Sequence, residues 1–473
     1  MTPDEFRKHA HELVEWMAGY MEKVEEYPVK SSVKPGEIFN KLPDSPPLKP
    51  ETFGSFLKDF EEIIMPGITH WQSPNFFAYF PANASPPSIL AEMLTSTLAA
   101  QCMIWETSPA AAELEQKVMN WLRDLISLPS CFEGVIQDSA STATLAAIIT
   151  AREKITDFRI NNDGVADARI LRIYCSEQTH SSVEKAVKIA GIGKKNLVKI
   201  GVKDDFSMDP GKLKTAISDD IKSGFVPCCV VATIGTTGTT AVDPIKSIGE
   251  ICAQNRIWLH VDAALAGTAL ILPEFQWMLD GREYIDSFVF NPHKWMFTNF
   301  DCTGYFVRDA ETLIKTFEIL PEYLKTRTRG KVNDYRDWGI PLGRRFRALK
   351  LWCVIRMYGV KGLQEKIRYH IRIAARLAEL ITREADFEIM APVRLNTVCF
   401  RYKPVGPTGD QLNLLNEKLN HKLNDSGKIY LTHTVLNGIY TLRMVTAQTN
   451  VTLEHVEKAW SLIMDTARNL FLQ

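Results

Sequence analysis

The sequence has no long unbroken apolar run, no Cys-x-x-Cys pair, no internal repeat and no surplus of either charge. Each absence excludes a class of protein. The most apolar long stretch, residues 89–104, is interrupted by Glu92 and several polar residues, so no bilayer-spanning helix is expected. A net charge of −1 and a pI of about 6.8 remove the basic field that nucleic acid or an anionic membrane would need. Without Cys-x-x-Cys, a zinc site of that type is not expected, and no metal is called for. The 9 cysteines are odd in number and include the adjacent pair Cys228-Cys229 in an apolar run. That usage fits buried thiols in a reducing compartment rather than a disulfide framework. The opening residues lack the basic-then-apolar order of a secretion signal. Instead Thr2-Pro3-Asp4-Glu5 reads as a helix start, with a cap, a proline in the first turn and acids beside the dipole. The expected location is the cytoplasm.

What is present suits a large core. The 473 residues are 45% hydrophobic and 23% charged, the balance of a soluble globular protein longer than one small domain. An amphipathic helix is expected up to about residue 27. Residues 27–52 carry Pro28, Pro35, Pro43, Pro46, Pro47 and Pro50, which suits an arm laid over another surface. From residue 86 to 307 short apolar strands alternate with helix-length segments, which predicts an α/β fold with a mainly parallel sheet covered on both faces. A long helix is expected over 346–358. Residues 387–402 and 429–445 read as strands, the latter turning at Asn437-Gly438, before a closing helix from about Leu453. The expected divisions are a helical arm over 1–85, a large domain over 86–360 and a small α+β domain over 361–473.

Asn291-Pro292-His293-Lys294-Trp295 follows the apolar run Ser287-Phe288-Val289-Phe290, so Lys294 stands where a strand gives way to a loop. A partly desolvated lysine there has an amine available to attack a carbonyl. A lone lysine after a strand is ordinarily a surface residue; the second element is Ile257-Trp258-Leu259-His260-Val261-Asp262-Ala263-Ala264. It is an apolar strand ending in a carboxylate, which needs a cationic partner in that setting. A pyridinium nitrogen is such a partner, and a lysine for a Schiff base completes the requirements of pyridoxal phosphate (PLP). Asp138-Ser139-Ala140-Ser141-Thr142 joins the first strand to its helix, where backbone N–H groups and hydroxyls suit a phosphate monoester or simply cap the helix. Asp138 is expected to point away from such an anion. His180, after the strand 169–175, is able to stack on a cofactor ring or to be an ordinary loop histidine, and Ser181-Ser182-Val183-Glu184 has capping-box spacing. Thr237, in a Gly-Thr-rich turn, could bound the ring. His260 reads as structural and is expected on the opposite face of its strand from Asp262.

Four motifs in order carry a family resemblance: His180-Ser181-Ser182, His260-Val261-Asp262-Ala263-Ala264, Asn291-Pro292-His293-Lys294-Trp295 and Pro341-Leu342-Gly343-Arg344-Arg345-Phe346. With His70-Trp71-Gln72-Ser73-Pro74 and Thr107-Ser108-Pro109-Ala110, they resemble the group II PLP-dependent amino-acid decarboxylases over nearly the whole chain, and most closely the aromatic-L-amino-acid decarboxylases. The resemblance implies a fold-type-I, PLP-dependent transferase-like α/β fold with a seven-stranded sheet, and a homodimer with active sites at its interface. It implies that Lys294 carries the cofactor, Asp262 pairs with the ring nitrogen and His180 stacks on the ring. Ser139, Ala140, Ser141 and Asn291 would surround the phosphate with His293 nearby, while Thr237 and Ala264 complete the cofactor contacts. Tyr323, in Pro321-Glu322-Tyr323-Leu324, matches the tyrosine that returns a proton to the substrate carbon; relatives that make aldehydes carry Phe there.

The aromatic-rich stretch around Trp71, Tyr79, Phe80 and Pro81 resembles the family's substrate wall, together with Ala82 and Met103. Those last two stand where the animal decarboxylases have a threonine and a phenylalanine. Gly343 leaves room for a larger, less polar ring such as indole, where members favouring tyrosine or histidine often place Ser. The expected reaction is decarboxylation of tryptophan, phenylalanine, tyrosine or dihydroxyphenylalanine to the amine and CO₂. Three rivals are an aromatic aldehyde synthase, disfavoured by Tyr323, a decarboxylase of a non-aromatic amino acid, disfavoured by the aromatic wall, and a catalytically silent regulatory homologue. Retention of Lys294, Asp262, His180 and Tyr323 argues against the last.

Overall fold

The alternating apolar runs form a seven-stranded sheet in the computed structural model, which describes residues 1–165, 169–319 and 331–472. Its strands are β1 (Glu133–Gln137), β2 (Leu171–Ser176), β3 (Leu197–Ile200), β4 (Val226–Thr233), β5 (Trp258–Asp262), β6 (Ser287–Phe290) and β7 (Thr303–Val307). They lie in the order β1-β7-β6-β5-β4-β2-β3. The neighbours from β6 through β3 are parallel, and β7 runs antiparallel to both β6 and β1. Central strands covered on both faces should be apolar throughout, and β5 and β6 are buried at every position.

This topology puts the carboxyl ends of β1, β2, β4, β5 and β6 on one edge. The helix Ala140–Ile155 starts at that edge, capped by Ser139, whose hydroxyl accepts the Thr142 N–H at 3.2 Å. Gly267 permits the close approach of the segment after β5 to β6, since a Cβ there would lie 2.4 Å from Phe290 Cβ.

The larger compact unit comprises residues 82–372 and 391–397; the other comprises 1–81, 373–390 and 398–473. The smaller contains the helix Pro3–Lys23, which Thr2 caps as its sequence predicts, with the Glu5 side chain completing a capping box. The arm that follows is pinned where Val29 N–H donates to Gly427 O and Val29 O accepts from His70 N–H, both at 2.8–2.9 Å. Four further strands, β8 (Phe387–Ile389), β9 (Thr397–Tyr402), β10 (Thr432–Leu436) and β11 (Ile439–Val445), form a second sheet in the order β10-β11-β9-β8. The hairpin turns at Asn437 and Gly438 with φ of 52° and 79°, the two positive values that a tight two-residue turn requires. The expected helix over 346–358 begins at Arg347 and ends at Gly359, where φ is 64° and ψ 164°; a second helix follows it as far as Thr382.

Candidate active site

Parallel register between β5 and β6 sets Asp262 opposite Val289, and two backbone bonds extend the pairing beyond the strands. Ala263 N–H donates to Val289 O and Asn291 N–H to Ala264 O, both at 2.9 Å. The chain then turns through the short helix Pro292–Trp295. Trp295 is fully buried, its indole N–H donating to His370 Nδ1 at 3.0 Å, which anchors the turn from beneath. Asn83 holds the same turn from its N–H to His293 O at 3.1 Å and from its side-chain amide to Lys294 O at 2.8 Å. Lys294 is half-buried in a turn whose other members are buried.

Asp262 is 5% exposed, and its Oδ1 accepts the Ala264 N–H at 3.0 Å. His180 lies within electrostatic reach of both Asp262 and Lys294. Burial pushes its imidazole below the ordinary value, the Asp262 carboxylate pulls it back up and Lys294 lowers it further. The structure therefore gathers Lys294, Asp262 and His180 at one edge of the sheet. His180 Nδ1 accepts the Ser182 N–H at 3.2 Å and lies 2.8 Å from the Ser182 hydroxyl, so the neutral ring carries its proton on Nε2. The capping expectation is corrected: the helix Ser182–Ile189 has no side-chain cap at Ser181, whose φ of −60° and ψ of −16° are already helical rather than the extended angles a capping residue adopts.

At the end of β1, Ser139 caps the helix, Ala140 opens it and Ser141 is exposed on its first turn. Asn291 Oδ1 accepts the Thr303 hydroxyl at 2.9 Å, which leaves its amide nitrogen as a donor. His293 is buried and accepts the Cys302 N–H on Nδ1 at 2.9 Å. Burial, with Lys294 adding to it, pushes the His293 imidazole down to about 3. Asp138 has one buried carboxylate oxygen with no hydrogen-bond partner among the described residues, and it lines a 140 Å³ cavity with Gly343 and Arg344. Thr237 is exposed in the turn after β4, and Ala264 is half-buried. Thr233, the register neighbour of Asp262 on β4, has a buried hydroxyl without a partner among the described residues.

This donor set fits PLP. It offers a helix start with hydroxyls for a phosphate, a buried carboxylate for a ring cation, and a half-buried amine for a carbonyl.

His260 was expected to face away from Asp262, but strand alternation puts residues two apart on the same face. The ring is fully buried, 2.9 Å from the Ser287 hydroxyl and 3.3 Å from that of Thr144, and burial pushes it down to about 4 despite the nearby Asp262.

The residues expected along the substrate wall fall into two sets. In the smaller unit, Trp71 stacks on Tyr79 at 5.7 Å between ring centroids, and Tyr79 meets Tyr430 edge-on at 6.0 Å. The Arg443 guanidinium lies 4.6 Å over the Phe80 ring and donates to Tyr79 O at 2.7 Å, while Pro81 is buried. Tyr430, absent from the expected set, places its hydroxyl 3.3 Å from that of Tyr79; burial and that hydroxyl push its phenol up to about 12. In the larger unit, Met103 and Gly343 are brought close: Cys102 N–H donates to Arg344 O at 3.0 Å and Arg344 N–H to Gln101 Oε1 at 2.7 Å. Ala82 precedes Asn83, which holds the Lys294 turn. Tyr323 lies outside the described residues.

Sheet, helices and donor set together define a PLP-dependent enzyme of fold type I. The family pattern described as the pyridoxal-dependent decarboxylase conserved domain matches residues 35–403, and the chain belongs to that family. A crystal structure of Oryza sativa TDC with PLP and tryptamine superposes with a TM-score of 0.97 at 37% identity, covering 99% of both chains. Tyrosine decarboxylase 4 of Petroselinum crispum is 43% identical over 99% of this chain and 94% of its own. Phenylacetaldehyde synthase of Petunia hybrida is also 43% identical, over 99% of this chain and 95% of its own.

Proposed function

We propose that the chain decarboxylates an aromatic L-amino acid to the amine and CO₂, with tryptophan and tyrosine as the leading substrates. The observation that carries the reading is the β5–β6 register, which sets Asp262 opposite Val289 and ties Asn291 to Ala264, so that Asp262 and the Lys294 turn end on one sheet edge. PLP, when bound, supplies an electron sink for the bond pair that departing CO₂ leaves behind. Lys294 would hold the cofactor covalently, Asp262 would keep a proton on its ring nitrogen, and His180 and Thr237 would bound its ring. Ser139, Ala140, Ser141 and Asn291 would hold its phosphate with His293 nearby, and Ala264 would complete the cofactor contacts. Tyr323 returns a proton to Cα of the substrate.

The assembly we propose is a cytoplasmic homodimer in which residues 1–85 embrace the partner, 86–360 bind the cofactor and 361–473 complete the subunit. Leu90, Leu94 and Leu98 support it: they share one helical face and are 59–63% exposed.

A panel of amino acids assayed for amine, aldehyde and CO₂ tests the reaction. Amine from aromatic substrates with matching CO₂ is expected; predominant aldehyde would replace the reading by the aldehyde synthase, which the Petunia relative keeps in view. Tyr323→Phe is expected to cut amine yield and raise aldehyde and peroxide, and an unchanged partition would remove Tyr323 from proton transfer. Gly343→Ser places a Cβ 3.3 Å from Gln101 Nε2 and adds a hydroxyl. It is expected to shift the tryptophan-to-tyrosine ratio of kcat/KM about tenfold towards tyrosine.

A further inference from the structure

Arg344 belongs to one of the motifs that carry the family resemblance, yet no step of the proposed reaction uses it. Its side chain is 5% exposed and that of Glu115, its partner, 3%. The guanidinium donates to Glu115 Oε1 at 2.6 Å, to Ile136 O at 2.9 Å and to Cys102 O at 3.4 Å, and lies 4.8 Å over the Tyr335 ring. Glu115 Oε1 also accepts the Ile136 N–H at 2.8 Å. One ion pair thus joins the helix Pro109–Leu125, the end of β1 and two segments without regular structure, 101–103 and 341–346.

The ends of these bonds matter. Ile136 lies three residues before Ser139, so the pair is fixed to the strand that leads into the helix start offered to the phosphate. Cys102 adjoins Met103, Arg344 adjoins Gly343, and Met103 O accepts the Arg336 N–H at 2.9 Å. Met103 and Gly343 lie far apart in sequence, and neither stands in a helix or strand that would fix its place. A buried ion pair contributes little net stability over an apolar pair of the same volume, but its fork of donors fixes geometry.

We propose that the buried Arg344–Glu115 pair is a positioning element for substrate selectivity: it holds Met103 and Gly343 in fixed relation to β1 and so sets which aromatic ring the enzyme prefers. The proposal rests on the reading of Met103 and Gly343 as substrate positions.

The test compares purified holoenzymes on tryptophan and tyrosine. Gly343→Ser examines the underlying reading, and Arg344→Lys with the isosteric Glu115→Gln examines the pair. In the latter two, KM for the preferred substrate is expected to rise about tenfold and the selectivity ratio to move about fivefold, with kcat within about threefold. The cofactor absorbance should match the parent enzyme. If Gly343→Ser moves the ratio while Arg344→Lys and Glu115→Gln lower only thermal stability, the pair is structural and the proposal is overturned. If Gly343→Ser leaves the ratio unmoved, the underlying reading fails and the proposal goes with it. Should both charge variants fail to fold, hydrogen exchange on the unaltered holoenzyme decides. The amides of Ile136, Cys102 and Arg344 are expected in one slow class. Exchange of Cys102 or Arg344 at loop rates would overturn the pair's positioning role.

Discussion

Lys294→Ala is expected to lower decarboxylase turnover by at least about 10⁴-fold, the scale set by losing a positioned covalent group. The visible absorbance of the covalently held cofactor should vanish with it. The backbone at 294 is held independently of its side chain, through its N–H to Asn291 O at 2.9 Å and its carbonyl to the Asn83 amide at 2.8 Å. Trp295 remains anchored on His370. The variant should therefore fold, and an unaltered circular dichroism spectrum separates lost chemistry from lost structure. The adjacent His293 cannot substitute, since it is buried, accepts the Cys302 N–H on Nδ1 and has no primary amine to form the covalent link. Turnover within tenfold of the parent would remove Lys294 from the reaction.

The second large effect is expected from Asp262→Asn, which removes a buried anion while leaving an oxygen to accept the Ala264 N–H. An amide cannot keep a proton on a ring nitrogen, so kcat/KM should fall about 10³-fold, equivalent to about 4 kcal/mol of transition-state stabilisation. The protonation of His180 provides a second readout. Burial already holds it low, and Asp262 is the group that raises it. Without that carboxylate the imidazole should titrate at lower pH, seen by nuclear magnetic resonance of the ring protons. A kcat/KM near the parent value would show that the carboxylate does not face the reacting ring.

The elements easiest to read in the sequence were those with local causes. The apolar runs ending at Asp262 and Phe290 become β5 and β6, the Asn437-Gly438 turn forms its hairpin, and the cap at Thr2 is made. What stayed hidden depends on tertiary contacts. β3 sits at the sheet edge with Lys199 exposed, so its run is too mixed to stand out as a strand. Ser181 has capping-box spacing with Glu184, but the fold holds its backbone at helical angles and its side chain makes no cap. Tyr430 joins Tyr79 across 351 residues, a distance no local pattern spans. Glu115 reads as one more charge on an amphipathic helix; only the fold reveals its pairing with Arg344.

Reduction of the purified protein with borohydride in the presence of PLP, followed by peptide mapping, tests most directly whether the β5–β6 edge is the cofactor site. A single pyridoxyl group is expected on Lys294, with the label abolished in Lys294→Ala. A pyridoxyl group on another lysine, or stoichiometric cofactor with no label at 294, would contradict the assignment of this sheet edge as the active site.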